Sequence, residues 1–166
     1  PKWSDRLMML AIDVSSDESV TLAAETVASS FETEAKPLYG IINNAGIGSS
    51  SIGLEPTLQV NTWGIHRVCK AFIPLLEASG RIVNVTSAAG PNFVEAADDV
   101  TRTMLTDPDV QWDAVEEYMN RCISESKDSA STTSGLGNAY GLSKACANAL
   151  TLILARENPG SVSYTH

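Results

Sequence analysis

Short continuous apolar runs alternate along the chain with longer stretches in which apolar residues recur every three or four positions. Leu7-Met8-Met9-Leu10-Ala11-Ile12, closed by Asp13, is the first such run and reads as a strand buried on both faces of a parallel sheet. Asp17-Glu18-Ser19 then opens a helical pattern through Val20, Ala23, Ala24, Val27 and Phe31, with acids in the first turn, where the helix dipole favours them. Pro37 stops it. Leu38-Tyr39-Gly40-Ile41-Ile42 reads as a second buried strand, ending at Asn43-Asn44-Ala45-Gly46. Strand, helix and strand with short links make a βαβ rhythm, which predicts a parallel sheet with right-handed crossovers.

Gly46 to Gly53 is a flexible link rich in Gly and Ser. Gly48 and Gly53 have the gap of a Walker loop, but Leu54-Glu55 stands where Lys-Ser/Thr is required, which rejects a phosphate cradle of that type. A long helix is predicted next, with Ile65, Val68, Cys69, Phe72 and Leu76 on one face, Pro74 bending its last turns and Gly80 ending it. His66 has no second ligand nearby, so a surface or capping role outweighs a metal. Ile82-Val83-Asn84-Val85 is the third buried strand, leading into Thr86-Ser87. Val115, Tyr118, Met119, Cys122 and Ile123 give one amphipathic helix inside the stretch 91–134, closed by a polar link from Ser124 to Ser134. From Asn138 a final helix carries Leu142, Ala145, Cys146, Ala149, Leu150 and Ile153 as an unbroken stripe, with Tyr140 and Lys144 off it. Asn158-Pro159-Gly160 ends that helix, and Ser161-Val162-Ser163-Tyr164 begins another strand.

At 166 residues and 43% hydrophobic composition the chain suits one domain with a core of ordinary size. The stretch 91–134 carries ten acidic side chains against three basic ones, and so holds seven of the nine net negative charges. That balance argues against nucleic acid or an anionic membrane surface as the main partner. A solvated acidic face explains the cluster better than a Ca²⁺ loop, whose ligand order is absent, and no metal site is expected. No run of eighteen apolar residues exists, so no membrane span is expected. Cys69, Cys122 and Cys146 form no C-x-x-C pair and read as buried free thiols in a reducing compartment, the cytoplasm.

The candidate chemistry centres on Tyr140-Gly141-Leu142-Ser143-Lys144. A phenol and an ammonium four residues apart share one helix face, and a cation beside a phenol favours its ionised form, so such a pair can move a proton. Asp13, Asn43-Asn44-Ala45-Gly46 and Thr86-Ser87 all fall at carboxyl ends of predicted parallel strands, the edge where open α/β sheets bind cofactors. Asn43 and Asn44 have an alternative use in pinning strand ends, and Asp13 as a cap. With Val60-Asn61 on the long helix, these motifs and their order resemble the short-chain dehydrogenase/reductase family over nearly the whole chain.

The resemblance implies a Rossmann-like doubly wound α/β domain over 1–166 with an acidic helical insertion at about 91–134. It implies carbonyl reduction (aldehyde, ketone or quinone) by hydride from NADPH, NADH being possible. Tyr140 would be the proton donor, Lys144 its cationic partner and a ribose ligand, Ser87 the holder of the substrate oxygen, and Asn61 the holder of a relay water. Asn43, Ala45 and Gly46 would line the cofactor, and Asp13-Val14 would meet the adenine ring. Ser87 and Tyr140 stand 53 residues apart, more than in most of the family, which resembles the carbonyl-reductase branch and implies a monomer. The Gly-rich pyrophosphate turn is not found, so the first two strands and the C-terminal part are expected to be missing and this stretch alone to be inactive. An accessory subunit of a larger assembly is the alternative reading.

Overall fold

A computed structural model describes residues 7–31, 35–48, 52–128 and 139–160, and the backbone of 162–165. Among these residues three strands form a parallel sheet in the order β1 (Leu38–Asn43), β2 (Leu76–Asn84), β3 (Val162–Thr165). The helices are α1 (Asp17–Ser30), α2 (Leu54–Asn61), α3 (Trp63–Phe72), α4 (Ala89–Ala96), α5 (Asp99–Thr106), α6 (Trp112–Asp128) and α7 (Ala139–Glu157). The architecture is Rossmann-like α/β, as expected.

Sheet and helices meet through alternate strand residues. Ile41 and Ile82 point into a core shared with Val20, Ala23 and Val27 of α1, Ile65, Cys69 and Phe72 of α3, and Leu150 and Leu154 of α7. Period-two alternation turns Ile42 to the other face, where it is 71% exposed. The expectation that the Leu38 strand is buried is therefore corrected: the face of Ile41 and Asn43 is packed, the face of Ile42 is open, and Tyr39 near the start of the strand is exposed as well. Ser16 starts α1 by accepting from Ser19 N, immediately ahead of the expected acids Asp17 and Glu18.

The larger correction concerns Leu7 to Ile12, which forms no strand. Leu7 is 73% and Met9 94% exposed, and no ladder includes the segment among the described residues. An apolar run becomes a strand only where neighbours take its backbone N–H and C=O groups, and here none does. The long helix is also divided. Thr62 breaks it between α2 and α3, Pro74 sits in a 3₁₀ turn over Ile73–Leu75, and Leu76 and Gly80 belong to β2. Register explains the last point: Leu38 pairs with Leu76 and Gly40 with Arg81, so β2 bulges over 77–80 before it resumes pairing.

Among its described residues the acidic insertion holds three helices in place of the one expected. Asp98 caps α5 by accepting from Thr101 N at 2.8 Å, and α6 continues through the start of the supposed polar link to Asp128. The rest of that link, Asn138 as the start of the last helix, and Ser49 to Ser51 of the Gly/Ser link lie outside the described residues. α6 packs its stripe of Val115, Met119, Cys122 and Ile123 on α2 and α7. Arg156 ties the preceding loop to α7 by donating to the carbonyls of Pro108 and Val110. Helix α7 is thus enclosed on nearly every side, and Lys144, expected off the buried stripe, is only 4% exposed.

Candidate active site

The carboxyl ends of β1 and β2 are joined by a buried polar chain. Asn43 Nδ2 donates to Asn84 Oδ1 at 2.8 Å and to Cys69 Sγ at 3.4 Å. Asn84 Nδ2 donates to Thr151 Oγ1 at 2.9 Å, and that hydroxyl donates to Ala147 O. Asn43 thus pins strand ends to α3 and α7, while Asn44 is exposed. Burial pushes the Cys69 thiol up to about 12 despite the hydrogen bond from Asn43, so it is a packed, un-ionised group.

Above this layer the chain turns at Gly46 toward α2. Ile47 N donates to Asn61 Oδ1 and Asn61 Nδ2 donates to Ile47 O, both at 2.8 Å. Asn61 Nδ2 also donates to Ser143 Oγ at 3.0 Å, and Ser143 Oγ donates to Tyr140 O at 2.8 Å. The fully buried Asn61 carboxamide therefore holds a loop on one side and the first turn of α7 on the other. Thr62 adds a second tie by donating to Ser143 O at 2.9 Å. Gly46 to Gly48, expected to be a free link, is docked because Ile47 finds both of its backbone partners on Asn61.

Lys144 Nζ donates to Val85 O at 2.8 Å, just beyond the end of β2, and lies 5.6 Å from the centre of the Tyr140 ring. Burial holds the lysine below its ordinary value, since few waters stabilise the ammonium. Two glycines let the backbone approach. A Cβ on Gly46 would stand 3.4 Å from Asn61 Oδ1 and 3.7 Å from Lys144 Nζ, and one on Gly48 would overlap the Tyr140 ring at 2.7 Å. Ser87 joins through the backbone two residues after Val85. Its Oγ accepts from Ala89 N at 3.2 Å and its carbonyl accepts from Gly90 N, opening α4. Gly90 packs directly on the α7 backbone at Lys144 and Ala145.

Asp13 and Val14 lie at a different place, the turn into α1. Asp13 accepts from Ser15 N and Oγ, which holds its carboxyl below the usual value, and its own N–H donates to Ser19 Oγ. Val14, with Asn43, Ala45, Val60, Gly64 and Ile65, lines a groove of about 260 Å³ beside α2 and α3. His66 stacks on Trp112 at 4.1 Å, and among the described residues no cluster of three possible metal ligands occurs. Ser143, Thr62 and Thr151 were missed as site-building residues. The available signal was polar side chains at helix positions that the apolar stripe turns inward.

A glycine-bearing loop, a buried amide and a lysine beside a tyrosine at the carboxyl ends of parallel strands define an α/β protein of the Rossmann-like class. The family model described as short chain dehydrogenase matches residues 2–97. The chain belongs to the short-chain dehydrogenase family. It is 42% identical over 95 residues to mitochondrial D-beta-hydroxybutyrate dehydrogenase of Bos taurus, covering 52% of this chain and 28% of that protein. It is 30% identical over 126 residues to carbonyl reductase [NADPH] 3 of Rattus norvegicus, covering 70% of this chain and 45% of that protein. The chain therefore spans less than half of either relative. Menthone neomenthol reductase from Mentha piperita shares the fold, with a TM-score of 0.77 at 21% identity, over 90% of this chain and 66% of that one. No helix among the described residues is long and apolar enough to cross a membrane.

Proposed function

We propose that the protein containing this chain reduces a small-molecule carbonyl with a nicotinamide cofactor, NADPH ahead of NADH, and that Tyr140 is the proton donor. The observation that carries this reading is the joint placement of Lys144, Asn61 and the Tyr140 ring against Gly46 to Gly48. The missing side chains of Gly46 and Gly48 let the loop come up against Asn61, Lys144 and the Tyr140 ring, so that an amide, an ammonium and a phenol lie together. A bound nicotinamide would supply hydride to the carbonyl carbon. Tyr140 gives its hydroxyl proton to the carbonyl oxygen, and Lys144 sets a positive charge beside the ring as that proton leaves. Ser87 holds the same oxygen by hydrogen bonding as charge develops there. Asn61 fixes the loop and the first turn of α7, and in this reading it holds the water through which Lys144 has the proton replaced from solvent.

Asn43, Ala45 and Gly46 line the cofactor in this reading, with Asp13 and Val14 at its adenine end. We place the protein in the cytoplasm, in keeping with its three buried free thiols. A monomer fits the insertion, because Trp112 stacks on His66 of α3, Trp63 donates to Glu116 Oε1, and α6 covers α2 and α7. The test is NADPH oxidation by the full-length protein against a panel of aldehydes, ketones and quinones. Turnover of at least one carbonyl is expected, with Tyr140→Phe losing about 10²-fold or more while NADPH binding stays near wild type. Equal turnover in the variant would refute the proton-donor assignment.

A further inference from the structure

Arg67 lies on α3, outside the Tyr140–Lys144 cluster, with its side chain 15% exposed. Its guanidinium joins three pieces of chain. Nε donates to Asp17 Oδ1 at 3.0 Å, Nη1 to Val14 O at 3.4 Å and to Gln59 O at 3.1 Å, and Nη2 to Gln59 Oε1 at 2.6 Å. A planar fork with fixed donors can hold several acceptors in one geometry, which a lysine cannot. The Val14 side chain is seated as well: a Cβ on Gly64 would come within 2.9 Å of Val14 Cγ2, so only glycine leaves this notch. Because Leu7 to Asp13 has no ladder to anchor it, the Val14 turn depends on Arg67, the Gly64 notch and the capping of α1.

Val14 forms one wall of the groove of about 260 Å³. The space suits a single ring system rather than a whole dinucleotide. The guanidinium is already committed to Asp17 and Gln59, which leaves it as a brace. We propose that Arg67 is a positioning residue for the adenine half of the cofactor, setting affinity by holding Val14 in place. This rests on the nucleotide-binding reading of the preceding section.

The experiment uses the full-length protein and measures dissociation constants for NADPH, NADH, ADP and nicotinamide mononucleotide in wild type, Arg67→Ala, Arg67→Lys and Asp17→Ala. Arg67→Ala is expected to weaken NADPH, NADH and ADP alike by about tenfold, the equivalent of one charge-assisted hydrogen bond. Nicotinamide mononucleotide binding and kcat at saturating cofactor stay near wild type. Arg67→Lys keeps the charge facing Asp17 and recovers part of the loss. Asp17→Ala loosens the same brace from an exposed position and weakens ADP about two- to threefold, which preserves the test if Arg67→Ala does not fold. Unchanged ADP affinity in Arg67→Ala, or in Asp17→Ala if that variant alone folds, would overturn the inference. So would a loss confined to NADPH, which would make Arg67 a direct phosphate ligand, or an equal loss for nicotinamide mononucleotide, which would mean general damage. A wild-type protein that binds neither dinucleotide nor ADP would overturn the nucleotide reading itself, and this inference with it.

Discussion

Leu142 and Leu7 are the same residue in opposite circumstances. Leu142 lies in the first turn of α7, fully buried among α2, α6 and neighbouring α7 side chains, whereas Leu7 is 73% exposed in a segment without regular structure. Both stand in apolar runs that sequence patterning reads as core. The difference is that α7 satisfies its backbone within itself and finds apolar surfaces on several sides. The segment 7–13 needs neighbouring strands for its backbone before its side chains can be buried. The chemical groups divide in the same way: Tyr140, Lys144 and Asn61 meet on the finished side, and Asp13 and Val14 are tied to it through Arg67 and the turn into α1.

The comparison can be broken most strongly by truncating the two leucines. Leu142→Ala should cost about 2–5 kcal/mol, read as a lower denaturant midpoint at unchanged slope. In the 166-residue chain itself, Leu7→Ala should stay within about 0.5 kcal/mol of wild type, and a matching loss there would show that the segment is packed. Asn61→Ala comes next. It leaves Ile47 N and O without their partner, at about 1–3 kcal/mol for each group that water does not rescue. A thermal-unfolding midpoint equal to wild type would mean that the loop is not held as described.

A smaller effect sharpens the same contrast. Burial lowers the Lys144 ionisation, so between its folded value and the ordinary lysine value of 10.5 the unfolded chain holds more of this proton than the folded chain. Stability should therefore gain a rising contribution as pH climbs through that window, and Lys144→Met should remove it. Urea titrations at stepped pH would show it, and identical pH slopes in the two proteins would contradict it.

Much of this arrangement was legible beforehand because its signals are local. The stripe of α7 is a helix period that any packing must respect, and Ile41-Ile42 and Ile82-Val83 are β-branched runs next to turn residues. Motif order singled out Asn61, Ser87, Tyr140 and Lys144, and of these Asn61, Tyr140 and Lys144 come together beside Gly46 to Gly48. Long-range partners were not. Nothing local shows that Leu7 to Ile12 lacks pairing, that β2 bulges to include Leu76 and Gly80, or that Lys144 is enclosed by elements far along the chain. The short helices α4 and α5 have too few turns for a clear period, although Asp98 followed by Thr101 was a readable cap. Arg67 was overlooked because a charged residue on a helix is by default assigned to solvent, and its acceptors lie on other elements.

We propose that Asn61, Ser87, Tyr140, Lys144 and the Gly46 to Gly48 loop together receive the nicotinamide half of the cofactor. A crystal structure of the full-length protein with NADPH measures this most directly. The nicotinamide half is expected against Gly46 to Gly48, with Lys144 in hydrogen-bonding reach of its ribose and the Tyr140 and Ser87 hydroxyls facing the open side of the ring. NADPH bound at another surface, with Tyr140 and Lys144 away from the nicotinamide, would contradict it.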